Sequence, residues 1–279
     1  KSIVRNYLAL VHPAEMQDVP TPNSASAAAL EQDSFRNFYG ATKREGKAPK
    51  LPNAYHLRGK RLPYDQLQFF EGHLSAKEVL ARAHELGVSL TSYLGASLML
   101  AIYAEMPALE RSKPIAISLP VNLRSYFPSG SARNFFSVIQ ARYHFRKNSN
   151  RLEDVIASLH DTFESELTQE KMEGRLNQFV QYDFNPVARI APLVVKDFVM
   201  RIGYDLSASK ETAAISNVGK IDMPPELREY IRLFDVFVST SRLQVCMCSF
   251  GDQLTASFTA PFVSTDIQKN FFRFLTGMG

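Results

Sequence analysis

Tryptophan is absent from this chain and cysteine occurs only twice. Cys246 and Cys248 stand two apart in a strand-like run, so their side chains share one face. A single such pair offers neither a disulfide framework nor the ligand set of a zinc site, and the two thiols read as small apolar fillers. No apolar run approaches the ~18 residues of a membrane span, and no secretory leader pattern opens the chain. The default expectation is therefore a soluble, cytoplasmic protein with no membrane partner. Also missing are a Gly-rich phosphate loop, a Gly-x-Ser-x-Gly elbow, an internal repeat, a heptad seam and a low-complexity tract. The chain starts at Lys1 rather than Met, which is read as a truncated or processed product.

What is present suffices for a real core. The 279 residues are 45% hydrophobic and 22% charged, enough for one large domain or two smaller ones. Net charge is +4, which suits a phosphate-bearing ligand and equally an ordinary, slightly basic surface. The 20 Phe and 11 Tyr read as core rather than as a stacking platform.

Along the chain, Ile3, Val4, Tyr7, Leu8 and Val11 recur at helical spacing, predicting a helix over 1–12. Residues 24–39 predict one short helix. Residues 41–61 carry Lys43, Arg44, Lys47, Lys50, Arg58, Lys60 and Arg61 against the single acid Glu45; with Pro49 and Pro52 they read as an exposed linker. A phosphate-contacting loop is the sharper reading, and nucleic acid lacks any supporting motif. Strand 66–74 is followed by a helix over 76–86, capped by Ser75 with Glu78 reaching back and stopped by Gly87. A second helix, begun by Ser89 or Thr91 and running to Glu105, is apolar nearly all round and predicted buried. Further on come one long helix over 151–184 with a break at Gly174, an apolar stretch over 187–202, and a strand over 212–218. Pro224-Pro225 opens a short helix. Strands over 234–239, 243–250 and 254–262 follow, with Gly251-Asp252 as the hairpin turn. A final helix over 266–275 is capped by Ser264 or Thr265. Strand, helix, turn, buried helix, strand is an α/β pattern.

The organising stretch is Lys113 to Phe145. Two strand-like runs, 115–121 and 135–143, flank the loop PVNLRSYFPSGSARN, with polar Asn122, Arg124, Arg133 and Asn134 at the strand ends. Loops held between strands are where binding groups are placed. The segment SLPVNLRSYFPSGSARNFF resembles a segment of the CoA-dependent acyltransferase superfamily, which includes chloramphenicol acetyltransferase, condensation domains and alcohol O-acetyltransferases. It is most similar to the alcohol acetyltransferase-like group. ISNVGKIDMP, Ile215 to Pro224, resembles the Ser-Asn-x-Gly strand and turn of the same group.

The resemblance implies a chloramphenicol acetyltransferase-like α/β fold: a mixed open sheet flanked by helices, mainly the C-terminal lobe over 66–279. Residues 1–65 would be the tail of an N-terminal lobe plus the basic linker. It implies acyl transfer, acetyl above all, from a CoA thioester such as acetyl-CoA to a small alcohol or amine acceptor, with no metal. A non-catalytic binding relative and a condensation-domain-like unit fed by a carrier protein are the alternatives. In that family a His-His-x-x-x-Asp-Gly motif supplies the general base. None of His12, His56, His73, His84, His144 and His160 begins such a run, so no catalytic residue is assigned in this chain. The base is expected upstream of Lys1, on the N-terminal lobe. Arg124 is the implied partner of the motif Asp, steadying the catalytic loop. Asn122, Asn134, Ser216, Asn217 and Gly219 are implied channel-lining residues, the small ones allowing close approach to backbone.

Overall fold

A computed structural model describes residues 2–13, 26–40, 51–184 and 190–277. At its centre is a six-stranded mixed sheet in the order β1-β6-β5-β4-β2-β3. The strands are β1 Gln68–Ser75, β2 Ile115–Asn122, β3 Phe136–Tyr143, β4 Ala213–Lys220, β5 Leu243–Phe250 and β6 Gln253–Ala260. Strand β4 runs parallel to both neighbours, β2 and β5, and the outer pairings are antiparallel. This is the mixed open sheet with flanking helices that the sequence led us to expect.

The two faces of the sheet differ. Ile115, Ile117, Leu119, Ile215, Val245, Met247 and Phe258 alternate onto one face and are buried there. Helix α5, Leu90–Ala104, packs along this face. It carries an unbroken buried run from Ser92 to Ile102, as an all-round apolar sequence requires. A Cβ on Gly95 would stand 2.9 Å from Leu159 and 3.2 Å from Ile117. The missing side chain lets α5 settle between β2 and helix α6, Leu152–Glu166. Helix α4, Ala76–Glu85, and the C-terminal helix α10, Asp266–Thr276, complete this layer. The opposite face presents Ser118, Cys246, Cys248, Thr255, Ser257 and Thr259, all small or polar and all buried.

The predicted caps form with one change. Ser75 accepts the Glu78 N–H, but the reciprocal partner is Asp252 of the β5–β6 hairpin, not Glu78. The Asp252 carboxylate accepts from the Ser75 hydroxyl and the Lys77 N–H. Ser89 caps α5. At α10 the Ser264 hydroxyl accepts the Asp266 N–H.

Three expectations change. The helix over 24–39 is two short ones, α2 Ala27–Glu31 and α3 Ser34–Asn37, because Ser26 and Asp33 each cap their own turn. The break in the long helix falls at Leu167-Thr168, between α6 and α7 (Gln169–Phe184), rather than at Gly174. There the Thr168 hydroxyl accepts the Lys171 N–H, and Glu166 clamps the corner by pairing with Lys171 and Arg175. An interior glycine costs a helix only about 1 kcal/mol, so Gly174 is tolerated. Residues 234–239 join no ladder. Both flanks of β5 are taken by β4 and β6, so this segment lies across the polar face as a strap held by side chains. Its anchors are the Cys248 thiol donating to the Phe234 carbonyl at 3.1 Å, the Asp235–Glu71 carboxyl contact, and Phe237 edge-on to Phe69.

Helix α1, Ser2–Val11, buries Leu8 in a satellite cluster with Met223 and Leu227. Leu227 lies in the short helix α9, Pro225–Arg228, and Met223 just before it. The segment 26–40 packs Phe35 and Phe38 onto Phe135. Contacts thus cross the sequence boundary at 65–66. Helix α8, Leu193–Ala208, is the exception to this packing, with no buried residue. Part of the basic linker, residues 41–50, and the start of the apolar stretch at 187–189 lie outside the described residues.

Candidate functional site

Strands β2 and β4 are paired at only two positions, Ile117 with Ala213 and Ser118 with Ala214. Beyond them β2 continues to Asn122 bonded to β3, and β4 continues to Lys220 bonded to β5. Two adjacent parallel strands therefore fork toward their C-terminal ends. Pro120 on β2 has no N–H to offer a second neighbour. In open α/β sheets the crevice outside the carboxyl ends of the strands is where ligands bind.

The predicted residues divide along the two prongs of this fork. On β4, Ser216 is half-buried and Asn217 is exposed. The Asn217 Oδ1 accepts the Gly219 N–H at 2.9 Å, and its Nδ2 donates to the Thr91 hydroxyl at 3.1 Å. The β4–β5 register slips between Asn217 and Gly219, and Gly219 takes φ +80° with nothing within 4 Å of a built Cβ. Glycine is needed here for backbone conformation, not because another group crowds it. Thr91 lies in the first turn of α5, so that turn reaches the fork. Sequence spacing pointed to Thr91 only as a helix start.

On the β2 prong, Asn122 Oδ1 accepts the Arg124 N–H at 3.1 Å, the short-range turn bond that asparagine favours. Arg124 Nη2 donates to the Ser131 carbonyl at 2.8 Å and the Arg133 carbonyl at 2.7 Å. Its guanidinium lies 6.0 Å from the Phe135 ring centroid. No carboxylate among the described residues pairs with it. Arg124 thus ties the two ends of the β2–β3 loop together. The loop is pinned in turn by Ser131, whose hydroxyl donates to the Gln32 carbonyl at 2.6 Å. Asn134 is exposed beside Phe136, which pairs with Asn122.

The fork carries Asn122 and the Arg124 brace on one prong and Ser216, Asn217 and Gly219 on the other. It does not gather a histidine. His73 pairs with Glu71 at 2.7 Å on the far edge strand, in the row that crosses from Gly219 through Cys248 and Thr255. Three inter-strand steps put it about 14 Å away. His12 lies against Tyr230, and His160 pairs with Glu164. Burial lowers the pKa of His56 and of His144, helped by nearby cations. Of the basic linker, Arg58 pairs with Glu110 and Arg61 lies over Phe262; Phe262 follows β6 at the opposite end of the sheet. Among the described residues no three His, Cys, Asp or Glu side chains converge as a metal site, and no single helix is long and apolar enough to cross a membrane.

No protein-family model matches the chain, and no curated protein matches it in sequence. Solved structures do match in fold. A trichothecene 15-O-acetyltransferase from Fusarium sporotrichioides superposes with a TM-score of 0.54 at 13% identity, over 79% of this chain and 49% of its own length. Polyketide synthase associated protein 5 from Mycobacterium tuberculosis gives 0.51 at 13%, over 75% and 52%. The epimerization domain from the third module of tyrocidine synthetase B gives 0.51 at 12%, over 98% and 62%. The chain has the fold shared by CoA-dependent acyltransferases and condensation domains, and it spans about half the length of the acetyltransferase it resembles.

Proposed function

From that shared fold we propose that this chain is the lobe of an acyltransferase that shapes the donor cleft. It would transfer an acyl group, acetyl above all, from a CoA thioester to a small alcohol or amine. The observation that carries the reading is the β2–β4 fork, with the braced Asn122–Arg124 loop on one prong and the Asn217–Gly219 bulge on the other. In this mechanism the fork holds the thioester chain between two rigid backbones. The acceptor attacks the thioester carbonyl directly, and holding both reactants in place supplies much of the rate. The proton leaving the acceptor goes to a histidine that belongs to a second lobe outside this chain. Arg124 acts as a positioning residue, keeping the loop in shape. The exposed helix α8 supports the second lobe: Val194 is 80% exposed and Phe198 65%, an apolar surface of the kind that marks an interaction site.

The test is thiol release from acetyl-CoA by the full-length protein, with alcohols and amines as acceptors. Acceptor-dependent release is expected. Arg124→Ala should cut kcat strongly with a smaller change in KM, and Arg124→Lys, whose single nitrogen can donate to both carbonyls as Nη2 does, should restore part of it. Absence of release with acyl-CoA but transfer from a carrier-bound donor would favour the condensation-like reading. Absence with both would leave a binding relative.

A further inference from the structure

A cavity of about 200 Å³ lies at the other end of the sheet from the fork. It is bounded by the last turns of α8, the residues leading into β4 and the residues leading into β5. Tyr204, Glu211, Thr240, Ser241, Arg242 and Gln244 line it. Its volume is below that of drug-sized pockets, so it suits a small metabolite.

The charged groups in this cavity are arranged unusually. Glu211 is half-buried, and burial holds its carboxyl above the ordinary range, opposed by the Arg242 guanidinium and a hydrogen bond with Ser118. Arg242 lines the same cavity, yet the two side chains close no ion pair. Instead Arg242 Nη1 donates to the backbone carbonyl of Glu211 at 2.7 Å, and the Arg242 N–H is held by the Thr240 hydroxyl at 3.2 Å. The Nη1 bond holds the guanidinium on the Glu211 backbone rather than on its carboxylate. The Ser118 hydrogen bond offsets only part of the carboxyl's desolvation, and no ion pair closes on it. A ligand bearing both charges would satisfy the two groups together. Across the mouth, the Tyr204 and Ser241 hydroxyls lie 3.3 Å apart and link α8 to the lead into β5.

We propose that this cavity binds a small zwitterion of the α-amino-acid class, with its ammonium on Glu211 and its carboxylate on Arg242. The two charges set the length of the ligand, and the hydroxyls of Tyr204, Thr240 and Ser241 favour a short or polar side chain. The site is separate from the fork and does not depend on the acyl-transfer reading. Strand β4 nevertheless runs from Ala214, in the cavity wall, to Gly219 at the fork, so occupancy also stiffens the element that carries the bulge.

Isothermal titration of the chain with glycine, alanine and serine tests this, with ethylamine and propionate as single-charge probes. Saturable millimolar or tighter binding of a zwitterion is expected, with each single-charge probe at least about tenfold weaker. Glu211→Gln, close in shape to the native residue, should weaken zwitterion binding by a similar factor while near-UV circular dichroism stays unchanged. Absence of saturation by any zwitterion, or equal binding of ethylamine or propionate, overturns the proposal. So does a folded Glu211→Gln chain that binds as well as the native one. The selectivity among probes on the unaltered chain decides the matter even if the variant does not fold.

Discussion

Helices α5 and α8, LTSYLGASLMLAIYA and LVVKDFVMRIGYDLSA, are of similar length and both rich in apolar residues, but only α8 carries charges, at Lys196, Asp197, Arg201 and Asp205, and the two end in opposite surroundings. The first is buried from Ser92 to Ile102. The second leaves Leu193, Val194, Phe198, Val199, Met200 and Leu206 exposed. The first is held by β2, α6 and α10; the second has nothing comparable against it among the described residues. Apolar content alone therefore does not set a helix's place. Charge and the layer a helix meets do, and for α8 that layer is proposed above to be a second lobe.

Truncation should separate the two helices most strongly. Leu98→Ala, in α5 and 0% exposed, should cost roughly 3 kcal/mol in urea denaturation. Phe198→Ala, in α8, should stay within about 0.5 kcal/mol. An equal cost for both would break the comparison. Two glycine substitutions sharpen it by sign. Gly95→Ala drives a Cβ against Leu159 and Ile117 and should lower stability by about 1 kcal/mol net of helix propensity. Gly203→Ala, with nothing within 4 Å, should raise it by up to about 1 kcal/mol.

A smaller effect is expected at the α6–α7 corner. Burial alone would raise the Glu166 pKa, but its bonds to Lys171 and Arg175 outweigh burial and leave it lowered. A carboxyl depressed on folding stabilises above its unfolded pKa and loses that contribution as pH falls through the folded one. Melting temperature should therefore drop on the acid side in the native chain, and Glu166→Gln should flatten that drop at a neutral-pH cost of about 1 kcal/mol. The smallest expected signal is chemical. Burial, with Asp235 and Cys246 adding to it, pushes the Cys248 thiol up to about 11, so alkylation at mild pH should be negligible until the chain unfolds. Rapid labelling of the native chain would show that the strap lifts.

Much of the fold was legible because its signals are local. Ser75 and Ser89 cap the helices they were expected to cap, and the Gly251-Asp252 turn joins the strands it was expected to join. What could not be read depended on distant partners. Phe234 to Val238 alternates as a strand does, but both flanks of β5, the strand that follows it, are already paired with β4 and β6. Gly174 looks like a break, yet the salt-bridged corner six residues earlier takes that role. At the site, the residues at the two strand ends stood out in the sequence because polar side chains there are conspicuous. That Arg124 grips two carbonyls of its own loop, and that Asn217 reaches Thr91 across 126 positions, follows from topology alone.

The account stands on the fork being where the donor binds. Its most direct test is an amide-resolved NMR titration of this chain with CoA. The account predicts the largest shift changes at Thr91, Asn122, Asn217 and Gly219, with the β1 edge near His73 unmoved. Shifts confined to other parts of the sheet, with those four amides unchanged at saturating CoA, would contradict it.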